Sequence, residues 1–224
     1  VGECKVFAGE PLVMMSAESR HTAGVTKDWV LWSWGNGGCG KLGHGDEETR
    51  QRPERLGREM FGGSPAVMVA CGDDLTLVLT AAGLWSCGAG SYGQLGHGNQ
   101  EGKLVLTLVA WEWFNGIPII MVSAGGYHRV ALGAEGRVWT WGLNHAGQLG
   151  HNELENRLVP TQLAGESLGG SAAVLVAAGG FHTVTVMIDG ALWDWGKGAE
   201  GQLGLGDTES MLVPVRVGAQ EKFG

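Results

Sequence analysis

Tyrosine is nearly missing from this sequence, with two residues against ten tryptophans. Proline is scarce too, at six. The 41 glycines follow no three-residue period and form no low-complexity run, which excludes a collagen-like chain and makes them turn punctuation. Charged residues make up only 17% against 44% hydrophobic, too little charge for a disordered chain and enough apolar material for a core. The 15 basic residues form no run, and the formal net charge is −8. A phosphate-backbone partner needs clustered cations, so no nucleic acid is expected. No stretch of 18 apolar residues is present, so no membrane span is expected. The opening "VGECKVFAGE" lacks the basic and apolar regions of a secretory signal, which points to an intracellular chain. It also lacks an initiating Met, so the ends need not be native ones.

The four cysteines, Cys4, Cys39, Cys71 and Cys87, contain no C-x-x-C pair, which argues against a zinc site of the usual spacing. Two disulfides are arithmetically open. Free thiols are the expectation, because each cysteine falls where sister repeats carry other residues. No sustained 3.6-residue apolar stripe occurs either. The best helical candidate, around 110–116, reads as a turn.

What the chain does have is repetition. "GKLGHG" (40–45), "GQLGHG" (93–98), "GQLGHN" (147–152) and "GQLGLG" (201–206) place Leu42, Leu95, Leu149 and Leu203 at spacings of 53, 54 and 54. "WSWG" (32–35), "WSCG" (85–88), "WTWG" (139–142) and "WDWG" (193–196) keep the same register. So do "SAESRHT" (16–22), "ACGDDLT" (70–76), "SAGGYHR" (123–129) and "AAGGFHT" (177–183). Three markers in one register define four units, approximately 1–55, 56–108, 109–162 and 163–216, with 217–224 beginning a fifth. A chain that halts inside a unit is expected to derive from a longer array.

Each unit reads as four short strands. In the second they are "AVMVAC" (66–71), "LTLVLT" (75–80), "LWSC" (84–87) and "LVLTLV" (104–109), separated by Gly, Asp and Asn. Four strands per period of roughly 50 residues predict an all-β fold, a β-propeller of four-stranded blades. Side chains two apart on a strand share a face. The element around Trp34, Trp85, Trp141 and Trp195 therefore sets its indole pairs against a neighbouring blade, with Thr140 facing away from Trp139 and Trp141. Cys87 replaces the second indole in the second unit. The loop glycines let the chain double back and bury its leucine between blades, a burial worth roughly 2–3 kcal/mol each.

The tandem stretches "AGGYHRVAL…GRVWTWGLNHAGQLGHN" and "AGGFHTVTV…GALWDWGKGAEGQLGLG" resemble the regulator-of-chromosome-condensation repeat family, across nearly the whole chain. The resemblance implies a seven-bladed propeller, of which four repeats would form part, or an open arc. An open arc exposes two terminal faces built for burial, so missing blades, a covering partner or self-association is expected.

The candidate reactive groups read as structural. His44, His97 and His151 share one loop position, and His21, His128 and His182 share one strand-start position. Equivalent points on separate blades do not converge on a metal. His128 and His182 are expected to hydrogen-bond backbone within their blades, and Leu75 at the same site indicates that the bond is dispensable. "GAGSYGQLG" (88–96) lacks the Lys-Ser or Lys-Thr of a phosphate loop, and no G-x-S-x-G elbow is present. Asp73 and Asp74 read as a solvated turn. No cofactor, metal or catalytic residue is expected.

The primary expectation is a non-enzymatic protein-interaction or scaffold module. Its charged, unit-specific loops "DEETRQR" (46–52), "NQEGK" (99–103) and "NELENR" (152–157) would meet a protein partner, and a place at the periphery of a larger assembly is one form of it. The family resemblance also implies an alternative, guanine-nucleotide exchange on a Ras-like GTPase. The long inserted loop which that activity uses is not seen here. A UV-B-sensing branch of the family carries Trp-Arg where this chain has Tyr127-His128 and Phe181-His182, which argues against photoreception.

Overall fold

The computed structural model describes residues 6–218. Cys4 and residues 219–224 of the expected fifth unit lie outside them. The fold is all-β, and the described residues form sixteen strands in four antiparallel four-stranded sheets, each in simple sequential order. It divides into two compact units.

The first unit comprises residues up to 91 together with 101–110. Its sheets are β1 Leu12–Glu18, β2 His21–Thr26, β3 Leu31–Gly35 and β4 Arg50–Leu56, then β5 Ala66–Gly72, β6 Leu75–Thr80, β7 Gly83–Gly88 and β8 Lys103–Leu108. β5 packs on both β1 and β2. Between the sheets lies an apolar core that includes Ala23, Val25, Leu31, Phe61, Val69, Val78 and Leu106. β6 is buried at every position, its threonines Thr76 and Thr80 included.

The second unit comprises residues 92–100 and those from 111 onward. Its sheets are β9 Ile119–Ala124, β10 His128–Gly133, β11 Val138–Gly142 and β12 Arg157–Gln162, then β13 Ala173–Ala178, β14 His182–Met187, β15 Leu192–Gly196 and β16 Met211–Arg216. Here β13 packs on β9 and β10, around Val130, Leu132, Leu168, Val176 and Trp195.

The stretch near 110–116 forms a single 3-10 turn, Trp111–Phe114. Equivalent turns occupy Arg58–Phe61 and Gly165–Leu168. Each drives one apolar plug, Phe61, Phe114 or Leu168, into the interior. The Phe114 ring meets Trp139 and Trp141 at centroid distances of 5.8 and 6.2 Å. Phe7 stands in the same relation to Trp32 and Trp34, at 5.5 and 5.9 Å.

Candidate functional site

The four loop leucines Leu42, Leu95, Leu149 and Leu203 are all buried. The loops that carry Leu42, Leu95 and Leu149 each seat on a sheet that follows in sequence. Gly40 comes so close to β8 that an added Cβ would lie 2.6 Å from the Leu104 Cα, and the Gly45 N–H donates to the Leu104 carbonyl at 3.0 Å. Within the second unit Gly93 (φ +75°) bears on Leu158 of β12, where a Cβ would meet that residue's Cα at 2.6 Å, and Gly98 N–H donates to Leu158 O. Gly147 repeats this on Leu212 of β16, with Asn152 N–H donating to Leu212 O. A side chain would both strain the backbone and block the approach.

The second aromatic of the W-x-W-G element forms the floor of the seat. Gly96 lies over Trp141, whose Nε1 donates to the Gln94 carbonyl at 3.1 Å, and Gly150 lies over Trp195. In the first unit Gly43 lies over Cys87. Trp141 and Trp195 are fully buried, while Trp34 and Trp85 are partly so.

From above, the seat is closed by a three-membered relay. His21 Nε2 meets Thr76 Oγ1 at 2.9 Å, and Thr76 Oγ1 donates to the Lys41 carbonyl at 2.7 Å. In the second unit His128 Nε2 meets Thr183 Oγ1 at 2.8 Å, and Thr183 donates to Gln148 O at 2.8 Å. The expectation of a backbone partner within the blade is therefore corrected for His128. Its ring reaches a threonine hydroxyl on the next sheet because the strand start lies at the sheet edge facing that neighbour. His182 is half-buried, with no side-chain hydrogen bond among the described residues. Leu75 takes the histidine position in the second sheet and Arg129 the threonine position in the third.

Burial sets the charge state of these groups. It lowers His128 to about 3 and, with help from the Lys41 ammonium, His21 to about 4. Burial also depresses His182, His44 and His151, the last two with Arg50 and Arg157 adding to it. It raises the Cys71 thiol to about 11 and the Cys87 thiol to about 12. The rings are neutral near pH 7 and the thiols protonated, a state suited to hydrogen bonding and not to nucleophilic attack. Cys39, Cys71 and Cys87 are free. Among the described residues no group of three or more His, Cys, Asp or Glu gathers as a metal site, and no helix is long and apolar enough to cross a membrane.

Asp73 and Asp74 form the turn between β5 and β6, and the Asp74 side chain, 38% exposed, also takes part in an ion pair. Asp74 Oδ1 accepts from the buried Lys41 Nζ at 2.9 Å, while the Asp73 carbonyl accepts from the same ammonium at 3.1 Å. Lys41 stands where the sister loops have glutamine, and Asp74 where they have Tyr127 and Phe181.

The loops proposed to meet a partner hold their own charges. Arg50 bonds Asp46 at 2.7 Å and Glu54 at 2.8 Å, Lys103 bonds Glu101 at 3.0 Å, and Arg157 bonds Glu153 at 2.5 Å.

One buried position breaks the pattern. Ser33 and Thr140 each donate to the loop leucine carbonyl, Leu42 at 2.8 Å and Leu149 at 2.7 Å, and each also meets a loop histidine. The equivalent residue in the fourth sheet is Asp194, and Leu205 replaces the histidine. Asp194 Oδ1 is buried without a hydrogen-bond partner, and burial lifts the carboxyl from 3.8 to about 7. An acid whose folded value is raised loses stability as the unfolded chain ionises, from about pH 4 upward, until the loss levels off near pH 7. Asp194→Thr should therefore stabilise the chain by about 1–3 kcal/mol at pH 8 and much less at pH 4. Urea melts at the two pH values test this, and an equal gain at both would show that ionisation is not the cause.

Repeated four-stranded sheets locked by seated loops define a repeat protein of propeller-type blades. The family model "Regulator of chromosome condensation (RCC1) repeat" matches residues 30–79, 82–132, 135–186 and 189–223, and the chain belongs to the RCC1 repeat family. Each match starts near the third strand of one sheet and, for the first three, ends on the second strand of the next. Among curated proteins the chain is 38% identical over 208 residues to the ultraviolet-B receptor UVR8 of Arabidopsis thaliana, covering 92% of this chain and 46% of that receptor. It is 36% identical over 214 residues to the E3 ubiquitin-protein ligase HERC2 of Homo sapiens, covering 94% of this chain and 4% of the ligase. Among solved structures, human WBSCR16 superposes with a TM-score of 0.82 at 26% identity, covering 93% of this chain and 53% of that one. The chain thus spans half or less of the curated relatives and about half of the solved one.

Proposed function

We propose that this chain is a non-enzymatic protein-interaction module, a scaffold of RCC1 blades whose loops 46–52, 99–103 and 152–157 engage a protein partner. One observation carries this reading. His21, His128, Cys71 and Cys87 are buried in neutral forms, while exposed charge gathers in loops that differ from unit to unit. In each sheet those loops lie on the edge opposite the turns between second and third strands, by the sequential antiparallel order.

Photocrosslinkers at Glu47, Asn99 and Glu155 should trap one common protein. The same probe at Ala82, Glu135 and Asp189, on the opposite edges, should not. Equal capture from both edges, or none, would reject the reading. A nucleotide-release assay with purified chain and a panel of Ras-like GTPases separates the alternative. Acceleration there would replace this proposal with exchange-factor activity.

A further inference from the structure

Every loop seat needs two parts: a loop from one sheet and a cleft on the next. The first and fourth sheets each keep one part unused. On the first sheet, Ala17, Arg20, His21, Thr22 and Gly35 line an open cleft of about 400 Å³. Gly35 is the counterpart of Gly142 and Gly196, which lie under the incoming glutamines. A Cβ at those two glycines would meet Gln94 Cβ at 3.2 Å and Gln148 Cα at 3.1 Å. Thr22 is the counterpart of Thr76 and Thr183, yet its hydroxyl has no hydrogen-bond partner among the described residues. Met15 is 61% exposed, whereas its counterparts Val69 and Val176 are 5% and 4% exposed.

The fourth sheet shows the converse. Gly201 has nothing within 4 Å of where a Cβ would stand, while Gly40, Gly93 and Gly147 are pressed against backbone. Among the described residues the ring of His182 has no hydrogen-bond partner, unlike those of His21 and His128. Leu175 is 44% exposed, where its counterparts Met14 and Met121 pack on the cores of their units.

We propose that these two surfaces join head to tail between two copies of this chain. The loop 201–206 of one copy enters the Thr22–Gly35 cleft of another. There Thr22 Oγ1 accepts from His182 Nε2 and donates to the Gln202 carbonyl, and the Gly206 N–H donates to the Gln51 carbonyl. Gly204 settles over Trp34, and Leu175 covers Met15. A second copy supplies every missing element in register, which no unrelated partner does. The contact is heterologous, so it closes into a ring or extends as a chain of copies. It uses the sheet faces and shares only Gln51 with the rim loops proposed to bind a partner.

Sedimentation velocity of the 224-residue chain over rising concentration should show assembly to dimers or larger species. Thr22→Val and His182→Leu should each weaken it by about tenfold, with tryptophan near-UV dichroism unchanged as the check on folding. Gln51→Leu restores the residue of the three other seats, Leu104, Leu158 and Leu212, and should tighten assembly. The decisive arm mixes Thr22→Val chains with His182→Leu chains. The first keeps an intact loop side and the second an intact cleft, so the mixture should form heterodimers that neither variant forms alone. A concentration-independent monomer would overturn the proposal. So would assembly that both variants leave intact, or a mixture that recovers nothing.

Discussion

Trp141→Ala should cost about 3–5 kcal/mol of stability, a fall in Tm of very roughly 6–20 °C for a chain of this size. The indole is fully buried, stacks edge-on to Phe114, and donates to Gln94 O. Gly96 also bears directly on it, with its Cβ position 3.0 Å from Nε1. Removing the ring therefore empties the core and the floor of a loop seat together. Trp141→Phe keeps most of the packing and deletes the donor, so it should cost only about 1–2 kcal/mol. Chemical denaturation of the pair gives the comparison. A loss below about 1 kcal/mol for the alanine variant would mean that the seat does not depend on its floor. Cys87 at the same position is no precedent for tolerance, because a Cβ added at Gly43 would stand 3.3 Å from its sulfur and that seat is built around the smaller residue.

The second large effect is a contrast between two leucines in equivalent motifs that share GQLG. Leu149 and Leu203 are both buried, but only the Leu149 loop is clamped by a following sheet, through Leu212, Trp195 and the Thr183 hydroxyl. Leu149→Ala should leave a cavity whose walls cannot move, at about 3–5 kcal/mol. Leu203→Ala should cost nearer 2 kcal/mol, because the loop 201–206 is free to collapse into the space. Equal losses in urea melts would show that the clamp adds nothing to rigidity.

The strands were readable because their cues are local. "LTLVLT" and "AVMVAC" declare themselves by β-branched and apolar content between Gly, Pro and Asp, and the observed strands overlap them closely. Repetition then supplied the four sheets. The relay was not readable in the same way. His21 and Thr76, like His128 and Thr183, are 55 residues apart and become partners only when two sheets stack. A histidine at a strand start gives no sign of whether its ring turns inward or across. Phe7, Phe61 and Phe114 were legible too, since they repeat at 54 and 53 residues with Leu168 next. The Lys41–Asp74 pair needed two departures from the repeat to be read jointly, on segments that meet only in three dimensions.

Because three of the four leucine loops complete their fold on a neighbour's backbone, none of the first three sheets is self-sufficient. Excising one would strip it of the surface that receives its own loop. Excising two leaves one finished joint, so a pair of sheets is the least that can melt as a whole. Along such a chain stability accrues at the joints, by nearest-neighbour coupling, and damage at one joint spreads only as far as the next intact one.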